Sequence, residues 1–205
     1  MFKCRDFYKI LIKQKTATVI PTCIDKWAAV FPELTQTDLS DIFINLNIIK
    51  NPELKDVHFE TLHRYTPTKL RLYRMNIKDD YACNWCGDPE DLVHFYVNCA
   101  FVQKFWNSFV DWLTYIYPHY QLIPLTGKDI LLGRQDATEF CEIINYLLVL
   151  AKFMIRRMHF TDAKPNIFEY IKLLKMYLIT EEQVAILNNK HDKFNYNWAF
   201  LIEQI

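Results

Sequence analysis

The sequence predicts a mainly α fold: a helical domain with an inserted Cys-Cys-His-Cys zinc knuckle and little or no sheet. Three observations carry that expectation. Only 3 of 205 residues are glycine while 51% are hydrophobic, against a usual glycine share of roughly 7%, so the chain is neither loop-rich nor disordered. Apolar positions recur at helical spacing in several capped segments. Four residues of metal-ligand type fall close together at Cys83, Cys86, His94 and Cys99.

Taken in order, the N-terminal residues Met1 to Lys15 mix Lys3, Arg5, Lys9, Lys13 and Lys15 into their apolar positions, with no uninterrupted hydrophobic region of signal-peptide type. An intracellular chain, in the cytoplasm or nucleus, is expected. Asn51-Pro52-Glu53 supplies an N-cap, a proline at the first helical position and an early acid, predicting a helix from Pro52 to His63. Thr66-Pro67 repeats the device for a short helix through Met75, with Asn76 as a left-handed stop. Phe101 to Ile116 is the clearest amphipathic pattern, with Phe101, Val102, Phe105, Trp106, Phe109, Val110, Trp112, Leu113 and Ile116 on one half of the wheel. Gly127 to Gly133 reads as a turn with one short strand, Asp129 to Leu132. Thr138 to Phe160 is apolar nearly all round, except for a narrow stripe of Asn145, Lys152 and Arg156 that reads as a solvated edge. Thr180-Glu181-Glu182-Gln183 has the form of a capping box and predicts a further helix start. The most apolar stretch, Ile143 to Ala151, falls far short of the ~20 residues a bilayer needs, so no membrane span or membrane partner is expected.

Cys83, Cys86, His94 and Cys99 are spaced Cys-x2-Cys-x7-His-x4-Cys. Zinc takes four such donors at tetrahedral corners, and a site with all four positions filled is structural because it leaves none for a reacting water. One structural Zn²⁺ is therefore expected, with Gly87-Asp88-Pro89 reversing the chain between the pairs and His94 in the first turn of a helix from Asp91 to Val97. Cys4, Cys23 and Cys141 lack paired spacing and read as core residues. His58, His63, His119, His159 and His191 show no ligand pattern.

Lys plus Arg and Asp plus Glu are both 24, and neutrality on average argues against a nucleic-acid partner. The average hides a local imbalance. From Thr61 to Lys78 stand Arg64, Lys69, Arg71, Arg74 and Lys78 with no acid, interspersed with His63, Tyr65 and Tyr73, whose rings could stack on bases. The segment that follows is acidic (Asp79, Asp80, Asp88, Glu90, Asp91), so a basic helix pairing with its neighbour is the competing reading. Lys3 to Lys15 is a weaker second basic cluster. Asp79-Asp80 lies three residues before a zinc ligand, not at a hairpin between apolar strands, and is not read as a polymerase pair. No phosphate loop, nucleophile elbow or His-Glu-x-x-His helix occurs.

With these pieces in order, the chain resembles the zinc-binding C-terminal region of non-LTR (LINE-type) retrotransposon reverse transcriptases. The resemblance is carried by Lys26-Trp27 with Phe31-Pro32 and Ile42-Phe43, by Leu62-His63-Arg64 with Tyr65-Thr66-Pro67 and Leu70, and by the Cys83 to Cys99 knuckle. Phe105-Trp106, Asp129 to Gly133, Leu148 to Lys152 and Ile155-Arg156-Arg157 follow, with weaker echoes at Pro165, Phe168, Asn188-Asn189-Lys190 and Phe194 to Trp198. It implies a zinc site at Cys83, Cys86, His94 and Cys99, and a contact region at His63, Arg64, Thr66, Lys69, Arg71 and Arg74, which the charge pattern extends to Lys78. It further implies a division into an N-terminal helical segment (1–50), a reverse-transcriptase-type zinc-binding domain (51–120) and a C-terminal helical region packed on it (121–205). The family usually has a residue or two more between the His-Arg pair and the Thr-Pro, so local helix geometry differs there. Polymerase and endonuclease motifs are absent from these residues. The expectation is an accessory module, not an enzyme by itself, that holds template RNA or single-stranded or target DNA for target-primed reverse transcription beside a polymerase core of a longer polyprotein. The alternative is a structural or protein-interaction module in which zinc only staples helices, from a decayed or co-opted element.

Overall fold

Helix starts in this chain are set by side chains that satisfy the first free backbone N–H groups. The computed structural model describes residues 23–34, 42, 49, 51–118, 124–134 and 139–205. After a short α1 (Cys23–Ala28) comes α2 (Pro52–Leu62), where the Asn51 side chain accepts from the Glu53 and Leu54 amides. Helix α3 (Lys69–Arg74) starts two residues later than the Thr66-Pro67 pair suggests, because Thr68 is the residue whose hydroxyl accepts from the Arg71 amide. A π-helical turn (His94–Asn98) leads into α4 (Ala100–Ile116), followed by α5 (Gly127–Leu132), α6 (Glu139–Phe160), α7 (Ile167–Leu187) and α8 (His191–Gln204). The described residues form no sheet; one β-bridge joins Ala82 to Pro89.

Three sequence expectations are corrected. The strand expected at Asp129 to Leu132 is helix α5: the Thr126 hydroxyl accepts from the Asp129 amide while the Asp129 carboxylate accepts from the Thr126 amide, a reciprocal cap that a strand would not use. The helix start expected at Thr180 does not exist. Helix α7 begins instead at Asn166, whose side chain accepts from the Glu169 amide, and runs straight through Thr180, whose hydroxyl donates to the Met176 carbonyl one turn back. Finally, the stripe on α6 is not a wet edge. Lys152 is 1% exposed and reaches the His58 ring and the Leu131 carbonyl, Asn145 bonds both the amide and the carbonyl of Arg134, and Arg156 pairs with Glu60.

The core is built on α4 and α6. Val102, Phe105, Trp106, Phe109, Leu113 and Ile116 line the buried face of α4. Its Phe105 and Phe109 rings meet Tyr170 of α7 edge to face at 5.8 and 5.3 Å, a favoured aromatic arrangement. Tyr170 also donates to the Leu147 carbonyl of α6 at 3.0 Å, so its one polar atom is satisfied inside the core. Helix α2 packs on α5 and α6, and α7 on α4, α6 and α8. The helices before and after residue 120 thus share one hydrophobic core. Among the described residues no helix is long and apolar enough to cross a membrane.

Candidate metal centre and the basic surface beside it

The stretch Tyr81 to Glu90 folds back on itself around Gly87. The Cys83 amide donates to the Asp88 carbonyl at 2.8 Å, the Glu90 amide to the Tyr81 carbonyl at 2.9 Å, and the Gly87 amide to the Cys83 carbonyl at 2.9 Å. Gly87 holds φ at +86°, a left-handed value that glycine adopts without steric cost. This turn sets Cys83 and Cys86 side by side. The amides of Trp85 and Cys86 point at the Cys83 sulfur, and that of Asp88 at the Cys86 sulfur, each favouring the thiolate.

The second pair of donors depends on the π-helical turn. The Asp91 carboxylate accepts from the His94 amide at 2.7 Å and so caps the helical segment that presents His94. Five residues on in an α-helix, Cys99 would point about 140° away from His94. Instead the Cys99 amide bonds the His94 carbonyl at 3.0 Å, an i to i+5 bond that widens the turn and brings Cys99 back to the side of His94. Cys83 Sγ, Cys86 Sγ, His94 and Cys99 Sγ then lie with their ligand atoms all within 4.8 Å of one another. Cys86 Sγ is 3.2 Å from His94 Nε2 and 3.9 Å from Cys99 Sγ. These four residues could hold a metal ion. Burial pushes the Cys83 thiol up to about 12 and raises that of Cys86, so metal binding here must displace protons.

A buried pair that the sequence does not reveal backs this cluster. Glu90 is fully buried; one carboxylate oxygen accepts from the Lys69 amide at the start of α3 (2.9 Å), and the other pairs with His159 Nε2 near the end of α6 (2.5 Å). The His159 ring lies against Trp85 and Phe95, and Cys83, Glu90 and His159 themselves bring ligand atoms within 4.8 Å. His159 looks isolated in the sequence because its partner is 69 positions away. Through Glu90 the knuckle, the basic helix α3 and the central helix α6 meet at one carboxylate.

The expected contact residues divide into three groups. Thr66 is buried, its hydroxyl near that of Tyr96 without an aligned hydrogen bond, and so is not part of an exposed surface. Arg64, Lys69 and Arg71 are half-buried and engaged. The Arg64 guanidinium lies over Trp27 at 4.9 Å and donates to the Lys26 carbonyl; Arg71 lies over Tyr65 at 5.1 Å and donates to the Arg64 carbonyl; Lys69 pairs with Asp80 at 3.4 Å. The Ala82 amide, with Lys69, holds the Asp80 carboxyl below its ordinary range. Arg74 and Lys78 are exposed and have no ion pair among the described residues. His63 is half-buried between the Phe59 and Tyr65 rings, and desolvation lowers its pKa, leaving it neutral at pH 7. No protein-family model matches the chain.

Proposed function

We propose that the four-residue cluster holds one structural zinc ion and that the chain is a nucleic-acid-binding accessory module, not catalytic by itself. The donor set supports zinc: tetrahedral coordination at the usual Zn–S and Zn–N lengths puts ligand atoms about 3.8 Å (S to S) and 3.6 Å (S to N) apart, against 3.9 and 3.2 Å across the Cys86 contacts. Filled by Cys83, Cys86, His94 and Cys99, the ion has no open position, so its role is to hold the knuckle. The single observation behind the nucleic-acid reading is the position of α3, which starts on the Glu90 carboxylate of the knuckle and ends at exposed Arg74, with exposed Lys78 four positions on and exposed aromatic rings beside them. Phosphates are the natural partners of such cations. A likeness to the terminal region of LINE-type reverse transcriptases agrees with this reading and suggests template RNA or target DNA as the partner, next to a polymerase core.

The test is a titration of zinc-loaded protein against single-stranded RNA, single-stranded DNA and duplex at two or more salt concentrations. Replacing Arg74 and Lys78 by Ala should weaken binding and flatten the slope of log affinity against log salt by about 1.4 on single strands, roughly 0.7 for each phosphate that is no longer neutralised. An unchanged slope would remove α3 from the interface. A second reading rests on α7, where Phe168, Met176, Ile179 and Leu187 are exposed. Absence of binding to all three nucleic acids would favour a protein-docking module built on that face.

A further inference from the structure

The exposed aromatic side chains beside α3 are ordered into a row. Phe59 and His63 lie one turn apart on α2 and the C-cap that follows, with ring centroids 4.2 Å apart. The chain then reverses at Arg64, which holds a left-handed φ of 58°. Its amide bonds the Thr61 carbonyl at 2.9 Å, and the Tyr65 amide bonds the Glu60 carbonyl at 2.6 Å. That reversal folds Tyr65 back so that its ring continues the row, 5.8 Å from His63 and inclined by only 22°. Arg71 completes it, its guanidinium 5.1 Å over Tyr65 and fixed by its bond to the Arg64 carbonyl. Phe59 remains 44% and Tyr65 55% exposed. Tyr73 and Tyr81, edge to face at 5.2 Å and 43% exposed each, extend the aromatic surface toward the knuckle.

We propose that Phe59 and Tyr65, the exposed rings of this row, form a stacking platform for unpaired bases, so that the nucleic acid this surface takes is single-stranded. The proposal rests on the nucleic-acid reading above and adds the part of the ligand that phosphate contacts leave open. Aromatic faces stack on any base, but only where the base is free of its pairing partner and can be splayed out. The rings here are held by each other, by a hydrogen-bonded chain reversal and by a pinned guanidinium, so little side-chain freedom is lost when a base is added. His63, held between the two rings, keeps them in place.

Zinc-loaded protein is titrated with a single-stranded oligonucleotide, with an abasic strand of the same length and charge, and with the corresponding duplex. The base-bearing strand should bind about tenfold or more tightly than either. Replacing Phe59 and Tyr65 by Ala should erase the advantage over the abasic strand while leaving the salt slope unchanged, the reverse of the Arg74 and Lys78 pattern. Equal, salt-dependent binding of base-bearing and abasic strands to the unsubstituted protein overturns the platform and leaves the phosphate reading standing. No binding to any strand overturns both. Because the comparison between strands uses the unsubstituted protein, its outcome does not depend on how well the variants fold.

Discussion

Lys152 shows how far a single residue can depart from what its sequence neighbourhood suggests. Polar residues at helical spacing on an apolar helix look like a solvated edge, since periodicity reports polarity and not partners. The partners of Lys152, Arg156 and Asn145, namely His58, Glu60 and Arg134, come from other parts of the chain. Burial lowers the Lys152 pKa from the ordinary 10.5 to about 7, and burial together with the Lys152 charge holds His58 well below 6.5. Between those two Lys152 values the unfolded chain carries a proton that the folded chain does not. Stability therefore rises with pH across that window, and below it the cost of the buried ammonium is complete. His58 acts in the same direction below its ordinary value, where acidification protonates the unfolded chain first. Urea denaturation should show stability climbing from about pH 7 to about pH 8.5, with a limiting slope of about 1.4 kcal/mol per pH unit. Lys152→Met, of similar length and without the charge, should be more stable at pH 7 and flatter over the same range. A flat wild-type profile, or a destabilised Lys152→Met, would contradict this account.

At the scale of elements, the scarcity of glycine decides how helices end. Four described helix ends turn through a left-handed residue that is not glycine: Arg64, Asn76, Asp162 and Asn189, with φ between 54° and 58°. At each, the next amide reaches back across the last turn, as Ala163 does to the Met158 carbonyl at 3.0 Å and Lys190 to that of Ala185 at 2.8 Å. The Asn76 stop is readable because Asn tolerates this conformation. The Arg64 stop is not, since its compensation comes from Trp27 and from the Lys26 carbonyl, the latter 38 positions away. Asp162→Gly should therefore stabilise the protein by about 0.5 to 1 kcal/mol, read as a shift of the urea midpoint at constant slope. Arg64→Gly should give no such gain, because it removes the guanidinium and its partners along with the strain. Equal gains at both positions would mean that those interactions carry no weight. The same contrast explains the two capping boxes. Thr126 with Asp129 lies between irregular chain and a short apolar run and acts as written, whereas Thr180 lies in a helix already extended from Asn166, whose buried Tyr170, Leu174, Tyr177 and Leu178 continue up to it.

For the whole molecule, what is legible in the sequence depends on how local each feature is in the chain. The four metal-ligand residues lie within 17 positions, so their spacing is informative by itself; the Glu90 and His159 pair behind them and the aromatic row turned by Arg64 are products of tertiary structure and leave no spacing signal. The same division predicts how the protein responds to loss of metal. Leu54, Phe105, Phe109, Leu147, Leu150 and Leu174 are buried to 2% exposure or less on helices that pack directly on one another, and none of the six is in the metal cluster. The knuckle is different: between Tyr81 and Cys99 the only regular structure is a helical segment at 92–98 and a β-bridge, and α3 is joined to it through Glu90. On the zinc reading proposed above, a strong chelator should release one zinc per chain and leave most far-UV helical signal in place. Hydrogen exchange should accelerate over residues 69–74 and 81–99, while the midpoint of thermal unfolding falls by at least about 5 °C, the shift expected from ~2 kcal/mol at this chain length. Collapse of the entire helical signal would instead make the metal part of the global core, and exchange left unchanged would show that Cys83, Cys86, His94 and Cys99 do not owe their arrangement to an ion.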